Sequence, residues 1–289
     1  ALGADVNTPD KDGFTPVFVA AQNGHVDAIK TLCALGADVN TPNKHGFTPV
    51  SVASQNGHVN AIKTLCALGT DVNTPDKDGF TPVFVAAQYG HVDAIKTLCA
   101  LGADVNTPDK NGYTPVFVAA QYGHVDAIKT LCALGADVNT PDKDGFTPVF
   151  VAAQYGHVDE IKTLCALGAD ANIPDMNGYT PIMCAALTGH VDAIKLLYKM
   201  GADMEVTLPD AKLNALDAAR ISENSKAVAC IEKILSKMHS ECECCGCSTK
   251  KLSRCGGCNK VRYCSVDCQK KDRKKHRDEC KQAVVDSIV

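Results

Sequence analysis

The sequence predicts an all-α repeat solenoid followed by a small, cysteine-rich module. Three observations carry that expectation. A 33-residue string recurs along most of the chain. Each copy holds two short helical patterns, too short to stand alone. Nine of the 16 cysteines crowd into residues 242–280, while seven are scattered singly before residue 240.

The repeat comes first, because it organises the rest. Thr8–Asn40 reads TPDKDGFTPVFVAAQNGHVDAIKTLCALGADVN, and the string returns at Thr41–Asn73, Thr74–Asn106, Thr107–Asn139 and Thr140–Asn172. Ile173–Glu205 is a looser copy. Residues 206–238 hold a degenerate seventh, with Asn214-Ala215-Leu216-Asp217-Ala218-Ala219 where the others have T-P-V-F-V-A.

Within one unit, Asp10-Lys11-Asp12-Gly13 is a turn. Thr15 is a helix N-cap and Pro16 suits the first helical position. Pro16–Asn23 gives a short helix that Gly24 ends in the left-handed conformation. His25–Leu35 gives a second, with Val26, Ile29, Leu32 and Cys33 on one apolar face. Neither reaches the roughly 12–15 residues at which isolated helices become marginal. Each unit must therefore bury its apolar faces against its neighbours, which makes a one-dimensional solenoid.

The pattern D-x-x-G-x-T-P-…-A-A-x-x-G-H…G-A-D-V-N resembles that of ankyrin repeats, helix-turn-helix-hairpin units, over roughly residues 1–238. The expected division is six clear copies plus a degenerate C-terminal cap over 1–238, with the N-terminus truncated because the chain opens on the tail of a repeat, and a second module over 239–289. One departure concerns the family's T-P-L-H. Its fourth place holds Phe18, Ser51, Phe84, Phe117, Phe150 and Met183 here. In the family that His ties neighbouring repeats by hydrogen bonds, so apolar packing is expected to take over. The recurring Gly-His residues (His25, His58, His91, His124, His157, His190) read as structural. Cys33, Cys66, Cys99, Cys132 and Cys165 read as small buried hydrophobes.

The resemblance implies a protein partner gripped by the hairpin tips and by the two residues before G-H, on the concave face. Those pairs are Gln22/Asn23, Gln55/Asn56, Gln88/Tyr89, Gln121/Tyr122, Gln154/Tyr155 and Leu187/Thr188. Gln88, Tyr89, Gln121, Tyr122, Gln154 and Tyr155 are the partner-binding candidates, since Tyr is a frequent hot-spot residue. The string L-x5-D-V-N, ending at Asn40, Asn73, Asn106 and Asn139, also resembles the target of the asparaginyl hydroxylase that modifies ankyrin repeats; shaping the loop is the competing reading.

From Cys255 the tail runs C-x2-C (Cys255, Cys258), C-x3-C (Cys264, Cys268), then His276 and Cys280. Upstream, Cys242/Cys245 and Cys244/Cys247 both give C-x-x-C. Seven Cys and one His supply two tetrahedral Zn²⁺ sites, and so short a segment takes its folding free energy from metal binding. Such pairs point to metal ligation in a reducing, intracellular compartment, cytoplasm or nucleus, rather than a disulfide framework.

Arg262-Tyr263-Cys264-Ser265…Cys268-Gln269…His276…Cys280 resembles a MYND-type zinc finger. The resemblance implies interleaved ligation. One zinc takes Cys242, Cys245, Cys264 and Cys268, with Cys244 and Cys247 as alternates for the first pair. The other takes Cys255, Cys258, His276 and Cys280. It also implies a second protein- or peptide-binding site, for proline-rich segments. Gln269 is present for that role, but Arg273 stands at the family's Trp position and the chain has no Trp.

Charge and motif content narrow the function classes. Residues 240–289 are formally +5 and residues 1–239 are −9, so the repeats make a poor nucleic-acid binder. The basic run 270–277 reads as the solvated face of the last helix; a nuclear-import patch or a nucleic-acid contact is the other reading. No stretch approaches the roughly 18–20 apolar residues of a membrane helix. No G-x-x-x-x-G-K-S/T, G-x-G-x-x-G or H-E-x-x-H occurs, and zinc closed by four protein ligands has no open position for catalysis. A non-enzymatic adaptor or scaffold is expected. The alternatives are a transcription or chromatin-associated regulator, or a fragment of a larger enzyme.

Overall fold

The computed structural model describes residues 5–238, together with the backbone of Ser253–Arg254 and Arg262–Tyr263. Among the described residues, helices come in pairs at the 33-residue period. The first helix of each pair is α1 (Pro16–Gln22), α3 (Pro49–Gln55), α5 (Pro82–Gln88), α7 (Pro115–Gln121), α9 (Pro148–Tyr155), α11 (Pro181–Thr188) and α13 (Ala215–Ile221). The second is α2 (Val26–Ala34), α4 (Val59–Ala67), α6 (Val92–Ala100), α8 (Val125–Ala133), α10 (Val158–Ala166), α12 (Val191–Lys199) and α14 (Ser225–Met238). Each first helix packs on its own second helix and on the first helices before and after it.

Local chemistry sets the boundaries. The Thr15 hydroxyl accepts the Phe18 amide proton at 3.2 Å, and Pro16 follows with no N–H to satisfy. Thr48, Thr81, Thr114 and Thr147 repeat this cap. The helices are shorter than their sequence patterns by a residue at some ends. Asn23 closes α1 at φ −98°, His25 precedes α2 in a non-helical conformation, and Leu35 caps its end. Gly24 lies one residue beyond the α1 cap at φ 68°, where it reverses the chain into α2. In the degenerate last unit, Asn214 replaces Thr-Pro with a reciprocal cap: its side chain accepts from Leu216 and Asp217 N–H, and Asp217 Oδ2 accepts from Asn214 N–H.

The core is one apolar column continued from unit to unit. In the third described pair it holds Val83, Phe84, Val85, Ala86 and Ala87 from α5, and Ala94, Ile95 and Leu98 from α6. Apart from the 14-residue α14, helices of seven to nine residues leave no core inside one unit, so burial is supplied by the neighbours.

Three polar ladders tie the units together. The His58, His91, His124, His157 and His190 rings each meet the carbonyl of the Gln 36 residues earlier, at 2.8–3.1 Å. A carbonyl only accepts, so Nε2 carries the proton in each ring. The Asn of D-V-N spans the next unit. Asn73 donates to Gly102 O at 3.0 Å and accepts from Asp104 N–H at 2.9 Å, and Asn106, Asn139 and Asn172 repeat both bonds. Hairpins join through the backbone, as from Lys110 N–H to Asp78 O at 3.0 Å.

One expectation is refined here and one corrected. Apolar packing by the phenylalanines at the fourth T-P place is accompanied by polar adhesion between units. Phe18, Phe84, Phe117 and Phe150 are buried and stack on the aromatic four residues earlier in their own unit, with ring centroids 4.6–4.8 Å apart. Hydrogen bonding between units runs through the His and Asn ladders. The repeated cysteines are half-buried rather than fully buried, packing against the core edge. Burial still pushes their thiols up, Cys132 and Cys165 to about 11.

Candidate protein-interaction site

The glutamine–tyrosine pairs sit at the end of the first helices, where α5, α7 and α9 turn into their partners. The sequence AAQY puts two alanines into the core and leaves Gln and Tyr at the solvent edge. Tyr89, Tyr122 and Tyr155 are 47%, 52% and 50% exposed, so about half of each ring is available to a partner.

The tyrosines are held rather than loose. Gln55 Nε2 donates to the Tyr89 hydroxyl at 2.8 Å, Gln88 to Tyr122 at 3.4 Å, and Gln121 to Tyr155 at 3.4 Å. Each Gln therefore positions the ring of the next unit, while its backbone carbonyl accepts the next unit's His. The Tyr89 and Tyr155 rings also lie nearly parallel to His91 and His157, at 6.4 and 6.1 Å. Such fixed side chains lose little rotamer freedom on binding. Gln154 differs: position 188 is Thr, so its amide has no tyrosine to hold, and only its carbonyl is used, by His190.

A cleft of about 370 Å³ opens between this edge and the hairpins. His45, Gln55, Asp76, Asp78, Gln88 and Tyr89 are among its lining residues. The partner-binding candidates Gln88 and Tyr89 line this cleft together with the hairpin acids and Gln55, which are not among those candidates. The signal lay in the hairpin string, where position 78 reads Asp while position 111 reads Asn.

The hairpin acids have structural work as well. Asp76 Oδ1 accepts from Asp78 N–H at 2.9 Å and from Phe80 N–H at 2.8 Å, which closes the turn. Among the described residues no group of three His, Cys, Asp or Glu side chains is arranged to hold a metal, and no helix is long and apolar enough to cross a membrane.

The zinc-ligand candidates Cys242, Cys244, Cys245, Cys247, Cys255, Cys258, Cys264, Cys268, His276 and Cys280 lie outside the described residues, as do Gln269 and the basic run 270–277. Two short strands between them are described: β1 (Ser253–Arg254) and β2 (Arg262–Tyr263) pair antiparallel, Ser253 opposite Tyr263. In chain order, Cys255 and Cys258 fall between the two strands and Cys264 follows β2. Seven thiols and an imidazole are a donor set suited to Zn²⁺.

Comparison with known proteins agrees with both halves. The MYND finger model matches residues 242–280, and a MYND finger is a zinc-binding module. Over 59 residues the chain is 42% identical to N-lysine methyltransferase SMYD2 of Rattus norvegicus, covering 20% of this chain and 13% of that protein. It is 51% identical over 43 residues to histone-lysine N-methyltransferase ASHR1 of Arabidopsis thaliana, covering 14% and 9%. With Tudor domain-containing protein 1 of Oryzias latipes it shares 54% identity over 35 residues, covering 12% and 3%. The chain thus spans about an eighth or less of these relatives, and the SMYD2 likeness is confined to the MYND region. The ankyrin-repeat model matches three times, over residues 1–76, 68–142 and 133–207. With that model covering well over half its length, the chain belongs to the ankyrin-repeat proteins and carries a MYND zinc finger after the repeats.

Proposed function

We propose that the chain is a non-enzymatic intracellular adaptor, with one protein held on the glutamine–tyrosine face of the repeats and a second protein or proline-rich peptide at the finger. One observation carries this reading: three tyrosines in register, half exposed and each fixed by a glutamine of the preceding unit. Intact chain would be used to capture partners, and the dominant partner's affinity remeasured with Tyr89, Tyr122 and Tyr155 all changed to Ala. A drop of tenfold or more with unchanged helicity is expected; unchanged affinity removes the face from the reading. Deleting residues 240–289 assigns each partner to a module.

The finger takes two Zn²⁺, one on Cys242, Cys245, Cys264 and Cys268 and one on Cys255, Cys258, His276 and Cys280. Bound zinc supplies structural cross-linking. A second reading, recruitment to chromatin, draws support from the finger's likeness to two lysine methyltransferases. Salt-dependent DNA binding by the intact chain would favour it.

A further inference from the structure

The hairpin position beside the tyrosine cleft is not uniform. Positions 12, 45, 78, 111, 144 and 177 read Asp, His, Asp, Asn, Asp and Asn. Where Asn stands, it serves its own turn: Asn111 donates to Asp109 Oδ2 and Asn177 to Asp175 Oδ2, both at 3.4 Å. Where Asp stands, that donor is missing and a second negative charge replaces it.

Asp78 and Asp144 are exposed, and neither forms an ion pair among the described residues. No Lys or Arg lines the cleft at Asp78. Two units on, Asp142 and Asp144 form the same acidic pair. Asp142 Oδ2 is buried without a donor, and burial, with Asp144 adding to it, raises that carboxyl despite three backbone amides. Burial and then Asp142, Asp109 and Asp144 raise the Tyr113 phenol. Tyr89 and Tyr155 belong to these same two units, each half exposed, and a cation beside a carboxylate and a tyrosine face gains from both.

Spacing adds a ruler. Packed helices stand about 8–10 Å apart, so two units span roughly 16–20 Å. An extended chain advances about 3.3 Å per residue, so about six residues cover that span.

We infer that this face selects an extended basic segment of a partner protein, with two Arg or Lys side chains six residues apart seated at Asp78 and Asp144. The inference rests on the interaction reading above and names the ligand of that face. The chain's own basic run at 270–277 is a poor occupant, because it contains the finger's zinc ligand His276.

The test uses intact, zinc-loaded chain and short fluorescent peptides in a Gly/Ser/Pro background, with two arginines either six or three residues apart. Anisotropy titrations at low and physiological salt read the difference. The six-residue spacing should bind about fivefold tighter, the equivalent of one further exposed ion pair. The double variant Asp78→Asn/Asp144→Asn should erase that preference; Asn already occupies the same turn position at 111 and 177, so its fold is kept. No binding, no spacing preference, or a preference that survives in the double variant overturns the inference. Loss of partner affinity in the tyrosine variant alongside any of those results leaves the interaction reading standing. Indifference of both variants removes both.

Discussion

Among the described residues the loop ladder breaks at Thr70, and Thr70→Ala should repair it. The other five of the six clear copies read G-A-D after the second helix, with Ala37, Ala103, Ala136, Ala169 and Ala202; here it reads G-T-D. Thr70 is 8% exposed and its hydroxyl is buried without a partner. At the same junction Asn40 makes neither the bond to Gly69 O nor the one from Asp71 N–H, although Asn7 makes both to Gly36 and Asp38. An orphaned buried hydroxyl costs about 1–3 kcal/mol, and two exposed hydrogen bonds regained are worth about 0.5 kcal/mol each. Losing the buried methyl offsets about 0.8 kcal/mol. The net gain is about 1–3 kcal/mol, or roughly 2–12 °C in Tm for a stack of this size. Global melting of a solenoid is not strictly two-state, so the decisive assay is local. The Asp71 amide should become protected from hydrogen exchange to the level of the Asp104 amide. An unprotected Asp71 together with a lower Tm would refute the reasoning.

Other variants probe the remaining contacts. Gly90→Ala should destabilise by about 2–3 kcal/mol in urea titrations, because Gly90 has φ 71° and a Cβ there would meet His124 Nδ1 at 2.8 Å, displacing the ring from Gln88 O. The thiols set an alkaline limit. Burial raises Cys132 and Cys165 from 9.0 to about 11, so unfolded thiols ionise first, and the stability they contribute below pH 9 is lost as pH rises to 11. Replacing both by Ala should flatten that loss in melts run across this window. For the finger, native mass spectrometry should count two Zn²⁺ on the intact chain and one after Cys258→Ser, and a strong chelator should abolish signals of the finger while sparing the repeat helicity.

The fold was legible because its physics is periodic. T-P before a short apolar run states a cap and a helix start, and short helices at a fixed period leave stacking as the only way to bury Ile29, Ile62 and their equivalents. What the sequence hid was which residues reach across units. The histidine ladder depends on a carbonyl 36 residues away, and the asparagine ladder on a glycine carbonyl 29 residues on; neither partner carries a side-chain signal of its own. The same reason applies to Phe84, whose apolar character is plain in the string while its stacking on Phe80, inside the unit, is a fact of geometry.

The site divides the same way. Tyr89, Tyr122 and Tyr155 could be picked out by register alone, because any residue repeated at an exposed position must form a row. The role of Gln55, Gln88 and Gln121 could not, since a glutamine in α3 acts on a tyrosine of the next unit. The consequence for function is that each tyrosine is positioned from outside its own repeat. A partner reading these rings reads the stack's spacing as well as its side chains, and a change that alters the angle between two units should weaken binding even when every contacting residue is intact.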